Sequence, residues 1–206
     1  MHFIVFEGLD GAGKSTLIEG LKRELTTLGE SVVLTREPGG TELGEKIREL
    51  LLTKDGESPV ARAELLLYEA ARAQHCDKVI EPALAKKHWV ICDRFSASSI
   101  AFQAGGRGLD RKTIDQLNSF ATQDLAPALW VLLDLTTAEA MRRMQGRDLD
   151  RFESENKDFH ERVRQRYLDL AKENQQSWLV LDASRKPSEL MLELMAKLKE
   201  RKLWPA

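Results

Sequence analysis

The chain has 206 residues, of which 31% are charged and 42% hydrophobic, and its formal net charge is −2. This is enough chain for one large domain with a real core, and the composition is ordinary for a soluble enzyme. The near-neutral balance gives no long-range pull toward nucleic acid or an acidic membrane surface, and no apolar run reaches the roughly 18 residues that a membrane span needs.

The first element expected is a strand at residues 3–7 (Phe3-Ile4-Val5-Phe6-Glu7). No basic region stands before it, so a signal peptide is not expected and a cytoplasmic protein is. Next comes Gly8-Leu9-Asp10-Gly11-Ala12-Gly13-Lys14-Ser15, which fits G-x-x-x-x-G-K-[ST]. Thr16 and the residues after it open an amphipathic helix, expected over 15–28 and stopped by Gly29. Strand, glycine loop and helix together make a phosphate site. The loop turns backbone N–H groups toward an anion, and the helix N-terminus adds partial positive charge. Lys14 then reaches the β- and γ-phosphates, and the Ser15 hydroxyl can ligate Mg²⁺.

Further strands are expected at 31–35, 88–92, 129–134 and 178–182. Helical periodicity fills 42–52, 61–85, 114–122, 137–144, 155–174 and 188–199, and residues 55–59 read as a loop. Alternating strands and helices point to an α/β fold with a parallel sheet covered by helices. Cys76 falls in a helix and Cys92 at a strand end. They form no C-x-x-C pair and read as reduced, buried thiols. The four histidines are too scattered for a zinc site.

Charged groups follow the strands, where ligands bind in open parallel sheets. Asp93, ending a buried strand beside a P-loop, has the position of a Mg²⁺-side acid, or of a helix N-cap. Arg94 follows it, and Arg36 projects from a neighbouring strand end. Two arginines facing one P-loop suggest a second phosphate-bearing molecule. Tyr68 and Arg72, at i and i+4, share a helix face. They suit a planar base with a carbonyl edge, or else form an intrahelical cation–π pair. Arg143, Arg147 and Arg151, spaced by four, would repel on a continuous helix unless an anion lay among them. With Gly146 between two helices, this stretch reads as a mobile lid whose arginines stabilise a transferring phosphoryl group, or as a solvated turn neutralised by Asp148, Asp150 and Glu153. Asp10, an acid among phosphates, implies a specific ligand contact or a carboxylate turned to solvent.

Six segments together resemble the thymidylate kinase family. They are the P-loop with its acid at Asp10, Thr35-Arg36-Glu37-Pro38-Gly39-Gly40, Ala70-Ala71-Arg72-Ala73-Gln74, Asp93-Arg94-Phe95, Ser98-Ser99-Ile100-Ala101-Phe102-Gln103 and Gly105-Gly106-Arg107-Gly108. The resemblance covers nearly the whole chain. It implies a three-layer P-loop NTPase fold, a five-stranded parallel sheet with helices on both faces. Residues 1–206 would form one nucleoside monophosphate kinase domain with a lid at about 145–152. It implies transfer of a phosphoryl group from ATP to dTMP with Mg²⁺, on the route to dTTP, and a homodimer.

By position, the resemblance puts residues 8–16 on ATP, and Ser15 and Asp93 at the metal. Tyr68 would stack on thymine and Arg72 would bond its 4-carbonyl. Ser99 and Gln103 would lie beside base and ribose, and Phe102 near the sugar's 2′ position, where the family more often has tyrosine. Arg36 and Arg94 would grip the acceptor phosphate, and Asp10 would lie near the 3′-hydroxyl and the metal. Positions 9–12 hold no arginine, which resembles the members that carry the catalytic arginine in the lid. That leaves Arg147 and Arg143 as the candidates beside Lys14, Asp10 and Arg94. The competing readings are another P-loop nucleotide or nucleoside kinase, an ATP-binding module without turnover, and a nucleic-acid-stimulated ATPase. The last is disfavoured by the absence of a basic patch.

Overall fold

The computed structural model describes residues 2–54 and 56–205. Five strands, β1 (Phe3–Glu7), β2 (Val32–Arg36), β3 (Trp89–Asp93), β4 (Leu129–Asp134) and β5 (Trp178–Asp182), form one all-parallel sheet in the order β2-β3-β1-β4-β5. The helices are α1 (Lys14–Thr27), α2 (Glu42–Leu52), α3 (Ala61–His75), α4 (Glu81–Ala85), α5 (Ser96–Ser99), α6 (Arg111–Thr122), α7 (Thr137–Met144), α8 (Lys157–Glu173) and α9 (Pro187–Glu200). π-helical turns at Cys76–Ile80 and Ile100–Gly106 continue α3 into α4 and extend α5.

β1 and β3 are apolar without alternation because both of their faces are covered. Phe3, Val5, Val90 and Cys92 pack on Cys76, Ile80, Ala83 and Phe95. Ile4, Phe6 and Ile91 belong to a larger cluster with Leu17, Leu21 and Leu25 of α1 and Leu194 and Leu198 of α9. The three-layer α/β architecture expected from the sequence is thus present. Cys76 and Cys92 are both free and buried.

Several boundaries differ from the sequence expectation. β2 and β3 each run one residue further, so Arg36 and Asp93 are the last ladder residues of their strands rather than the first loop residues; Arg36 pairs in register with Asp93. β3 lies between β1 and β2, so Arg36 is two strands from the P-loop. α6 begins three residues early because Asp110 caps it, accepting from the Thr113 N–H at 2.8 Å. Asn156 likewise caps α8 through the Phe159 N–H. The helix over 96–106 was not expected. It is apolar nearly all round because it is buried nearly all round, so it has no polar stripe to set a 3.6-residue period. The loop expected at 55–59 is observed from Gly56, and Asp55 lies outside the described residues.

Candidate active site

At the carboxyl end of β1 the backbone turns sharply. Gly8 has φ +133°, and a Cβ there would lie 2.5 Å from the Leu133 carbonyl oxygen. Only glycine lets the loop pass this close to β4. Gly13, at φ +95°, is the N-cap of α1 and supplies no side-chain cap, so the first N–H groups of the helix stay open toward the loop. Lys14 Nζ is buried and donates to the carbonyls of Gly8 and Leu9, both at 3.2 Å. It also lies 3.8 Å from Asp10 and 4.0 Å from Asp93.

Asp93 does not cap the helix after β3; Phe95 holds that position, without a side-chain bond. Its Oδ1 is buried and has no hydrogen-bond partner among the described residues. Asp93, at the end of β3 and 4.0 Å from Lys14, and the exposed Ser15 hydroxyl on the first turn of α1 are hard oxygen donors, the kind Mg²⁺ takes. Among the described residues no cluster of three or more His, Cys, Asp or Glu could enclose a metal. A divalent ion here would complete its shell with phosphate oxygens and water.

Arg94 sits at φ +70°, a left-handed conformation that a non-glycine residue adopts only when its surroundings hold it. Its backbone N–H reaches the Phe6 carbonyl at 2.9 Å. Its guanidinium donates to Asp10 Oδ1 at 2.8 Å and to the Tyr167 hydroxyl at 3.2 Å, and lies 5.0 Å over the Phe102 ring. Beneath it is the fully buried Glu7, which accepts from the Phe95 N–H (3.0 Å), Ser98 Oγ (2.7 Å) and the Tyr167 hydroxyl (2.7 Å). Burial pushes the Glu7 carboxyl above the usual range despite Arg94 and these donors. Burial also works against the Asp10 carboxylate, but Arg94 and Lys14 outweigh it and hold Asp10 well below the usual range. With about a third of its side chain exposed, Asp10 is nonetheless held by Arg94 at 2.8 Å.

Arg94 and Asp10 form one wall of a cavity that opens to solvent. Of the residues expected at the acceptor, Tyr68, Arg72, Arg94, Ser99, Phe102 and Gln103 all line it. Arg36 does not. Its guanidinium pairs with Glu45 at 2.8 Å on the surface, and Arg48 of α2 stands in the cavity wall instead. Arg72 and Tyr68 make no cation–π pair with each other. Tyr68 meets Phe152 edge-on, and Arg72 lies 5.5 Å over Phe95. Arg72 is 1% exposed. Its Nε donates to Glu37 (2.7 Å), and its Nη1 to Glu69 (2.6 Å), Ser99 (2.7 Å) and Asn118 (2.9 Å). Glu37 in turn binds His75 Nδ1 at 2.9 Å, whose Nε2 meets Thr35 Oγ1 at 2.6 Å.

The family model described as thymidylate kinase matches residues 6–194. The chain belongs to this family. A thymidylate kinase of Bdellovibrio bacteriovorus is 52% identical over 209 residues, covering 98% of this chain and 98% of that protein. One from Ectopseudomonas mendocina is 48% identical over 197 residues, covering 95% and 94%. The crystal structure of a thymidylate kinase from Ehrlichia chaffeensis superposes with a TM-score of 0.77 at 36% identity, covering 95% of this chain and 97% of that one.

Against this thymidylate kinase framework the arginine-rich stretch divides into two parts. α7 ends at Met144 and Gly146 has φ +80°, so the four-residue spacing of its arginines does not follow one helix. Arg143, still helical, binds Glu139 and reaches the carbonyls of Gly11 (3.4 Å) and Ala183 (3.0 Å). Arg147 is exposed, and among the described residues its guanidinium meets Glu153, at 3.3 Å. Beyond it the chain is clasped. Arg151 donates to the Leu51 carbonyl at 2.8 Å and pairs with the buried Glu64 at 2.8 Å. Phe152 meets Tyr68 and Phe102 edge-on across the cavity. Glu64 also binds Arg107 and Gln103. Sequence reasoning missed Glu7, Glu37, Glu64, Glu69, His75, Asn118 and Tyr167. The signal that could have found them was a polar or charged side chain at a position whose neighbours are core.

Proposed function

We infer that this protein transfers the γ-phosphoryl group of ATP to the 5′-phosphate of dTMP, giving ADP and dTDP on the route to dTTP. Family membership supports the reaction class. The observation that carries the acceptor assignment is Arg94, tied to the P-loop through Asp10 and standing in the wall of the cavity that Tyr68, Arg72 and Phe102 line.

The acceptor needs no general base. A phosphate monoester has a second pKa near about 6 and is largely a dianion at pH 7. The task is to bring two highly charged anions into line. The P-loop N–H groups and Lys14 cradle the ATP phosphates, and Arg94 holds the acceptor phosphate, fixed by Asp10, Tyr167 and its own backbone. Arg36, on the surface with Glu45, grips that phosphate only after leaving its partner. Tyr68 and Phe102 flank the base and sugar, with Arg72, Ser99 and Gln103 at the polar edge. Mg²⁺, held by Ser15 and Asp93, would neutralise phosphate charge. Residues 145–152 act as the lid of one kinase domain spanning the chain. Arg147 or Arg143 adds the charge that matters most in transfer, and the covered site excludes water that would hydrolyse ATP.

The proposal includes a homodimer and a cytoplasmic location. Exposed Leu43 and Leu50 on α2, Leu66 on α3 and Phe120 on α6, which is 84% exposed, support the first. Two free cysteines support the second. Among the described residues no helix is long and apolar enough to cross a membrane. A coupled ADP-release assay tests the reaction: release with ATP alone should be slow and should rise steeply with dTMP. Release indifferent to dTMP overturns the reading.

A further inference from the structure

One buried acid beside the acceptor cavity has no place in the mechanism above. Glu69 of α3 is 5% exposed and does not line the cavity. Its Oε1 accepts from Arg72 Nη1 at 2.6 Å and from Ser99 Oγ at 2.8 Å, while its Oε2 is buried with no hydrogen-bond partner among the described residues. Arg72 is already neutralised by Glu37, so a second carboxylate with an unsatisfied oxygen is costly as pure scaffolding. What Glu69 does uniquely is take the Ser99 hydroxyl proton.

A serine hydroxyl has one proton and two lone pairs. With the proton on Glu69 and one lone pair receiving Arg72 Nη1 at 2.7 Å, Ser99 Oγ keeps only acceptor capacity for the cavity. Arg72 Nη2 makes no hydrogen bond among the described residues and remains a donor on the same wall. The wall thus presents one donor beside one acceptor. A 2,4-dioxopyrimidine offers the complement, a 4-carbonyl acceptor beside an N3–H donor. A 4-aminopyrimidine offers the reverse, an amino donor beside an N3 acceptor, and meets like with like.

We propose that Glu69 is a specificity-determining positioning residue: by holding the Ser99 hydroxyl as an acceptor, it makes the acceptor site select an imide base over a 4-amino base. This rests on the reading of the cavity as the dTMP site. Without Glu69 the Ser99 hydroxyl turns and donates into the cavity, where it suits the N3 of a cytosine-type base.

The test is calorimetric binding of dTMP and of 5-methyl-dCMP, which differ only at this edge, to wild type, Glu69→Leu, Glu69→Gln, Ser99→Ala and the Glu69→Leu/Ser99→Ala double variant. In Glu69→Leu the ratio of the two Kd values should shrink at least about 10-fold, the worth of one well-placed polar contact, with KM for ATP unmoved. Glu69→Gln should retain most of the ratio, because Oε1 still accepts. Ser99→Ala should lose about as much as Glu69→Leu, and the double variant no more than either. An unmoved ratio in Glu69→Leu or Ser99→Ala, equal losses in Leu and Gln, or additive losses in the double variant overturn the proposal. Wild type that binds dTMP normally while the variants show these contrary patterns sinks this inference alone. Wild type that does not bind dTMP sinks the acceptor reading and this inference with it.

Discussion

Arg72→Ala should damage this protein twice, and the two effects separate. The first is stability. Arg72 is the partner of Glu37 at 2.7 Å and Glu69 at 2.6 Å, and all three are buried. Removing one member of a buried ion pair costs about 3–5 kcal/mol, since the remaining charge is left without compensation. For a domain of this size each kcal/mol moves Tm by roughly 2–4 °C, so scanning calorimetry without ligand should show a fall of roughly 6–20 °C. The second effect is recognition. Losing a charged donor to the base costs about 1.5–3 kcal/mol, or roughly 10–200-fold in kcat/KM for dTMP. Measured well below the lowered Tm, that loss should leave KM for ATP nearly unchanged. A Tm within about 2 °C of wild type would refute the claim that Arg72 holds the two acids. Equal losses for dTMP and ATP would refute its role at the base.

Arg147→Ala should lower kcat by on the order of 100-fold with smaller changes in KM, and it should move Tm little, because the Arg147 side chain is itself exposed and the buried Glu153 keeps the Asp150 N–H as a donor. Steady-state kinetics with unchanged kcat would move the catalytic role to Arg143, which already reaches the Gly11 carbonyl, or to Arg151. Asp10 titrates lower in the folded protein than in the unfolded chain, so its stabilising contribution is complete above about pH 4 and is lost as pH falls further. The Tm difference between wild type and Asp10→Asn should therefore be largest near neutrality and shrink below about pH 4; a difference independent of pH contradicts the Arg94–Asp10 tether. Glu7 works in the opposite sense, because its raised folded pKa makes the charged form costly as pH rises through it.

The P-loop and the five strands were legible in sequence because each rests on a local rule; of the cavity lining, Tyr68, Arg72 and Arg94 were legible by spacing and strand-end position, Ser99, Phe102 and Gln103 only through the family resemblance, and Glu37, Arg48 and Phe152 not at all. Apolar runs mark strands covered on both faces, and glycine spacing marks a turn that must approach β4. The arginines were legible as charges but not as geometry. Arg36 looked equivalent to Arg94, yet β3 separates its strand from β1 and Glu45 holds it on the surface. The acids that orient the site were not legible at all. Tyr167 reaches Glu7 across 160 residues of chain and Arg72 reaches Asn118 across 46, pairings that no periodicity encodes. The buried helix over 96–106 was missed for a related reason, having no solvent face to print a pattern.

The most direct measurement is a panel of nucleoside monophosphates incubated with γ-labelled ATP and Mg²⁺, with labelled diphosphates resolved by chromatography. Label should pass to dTMP far faster than to dCMP, dAMP or dGMP. Label that reaches another monophosphate in preference to dTMP, or water alone, would contradict the account.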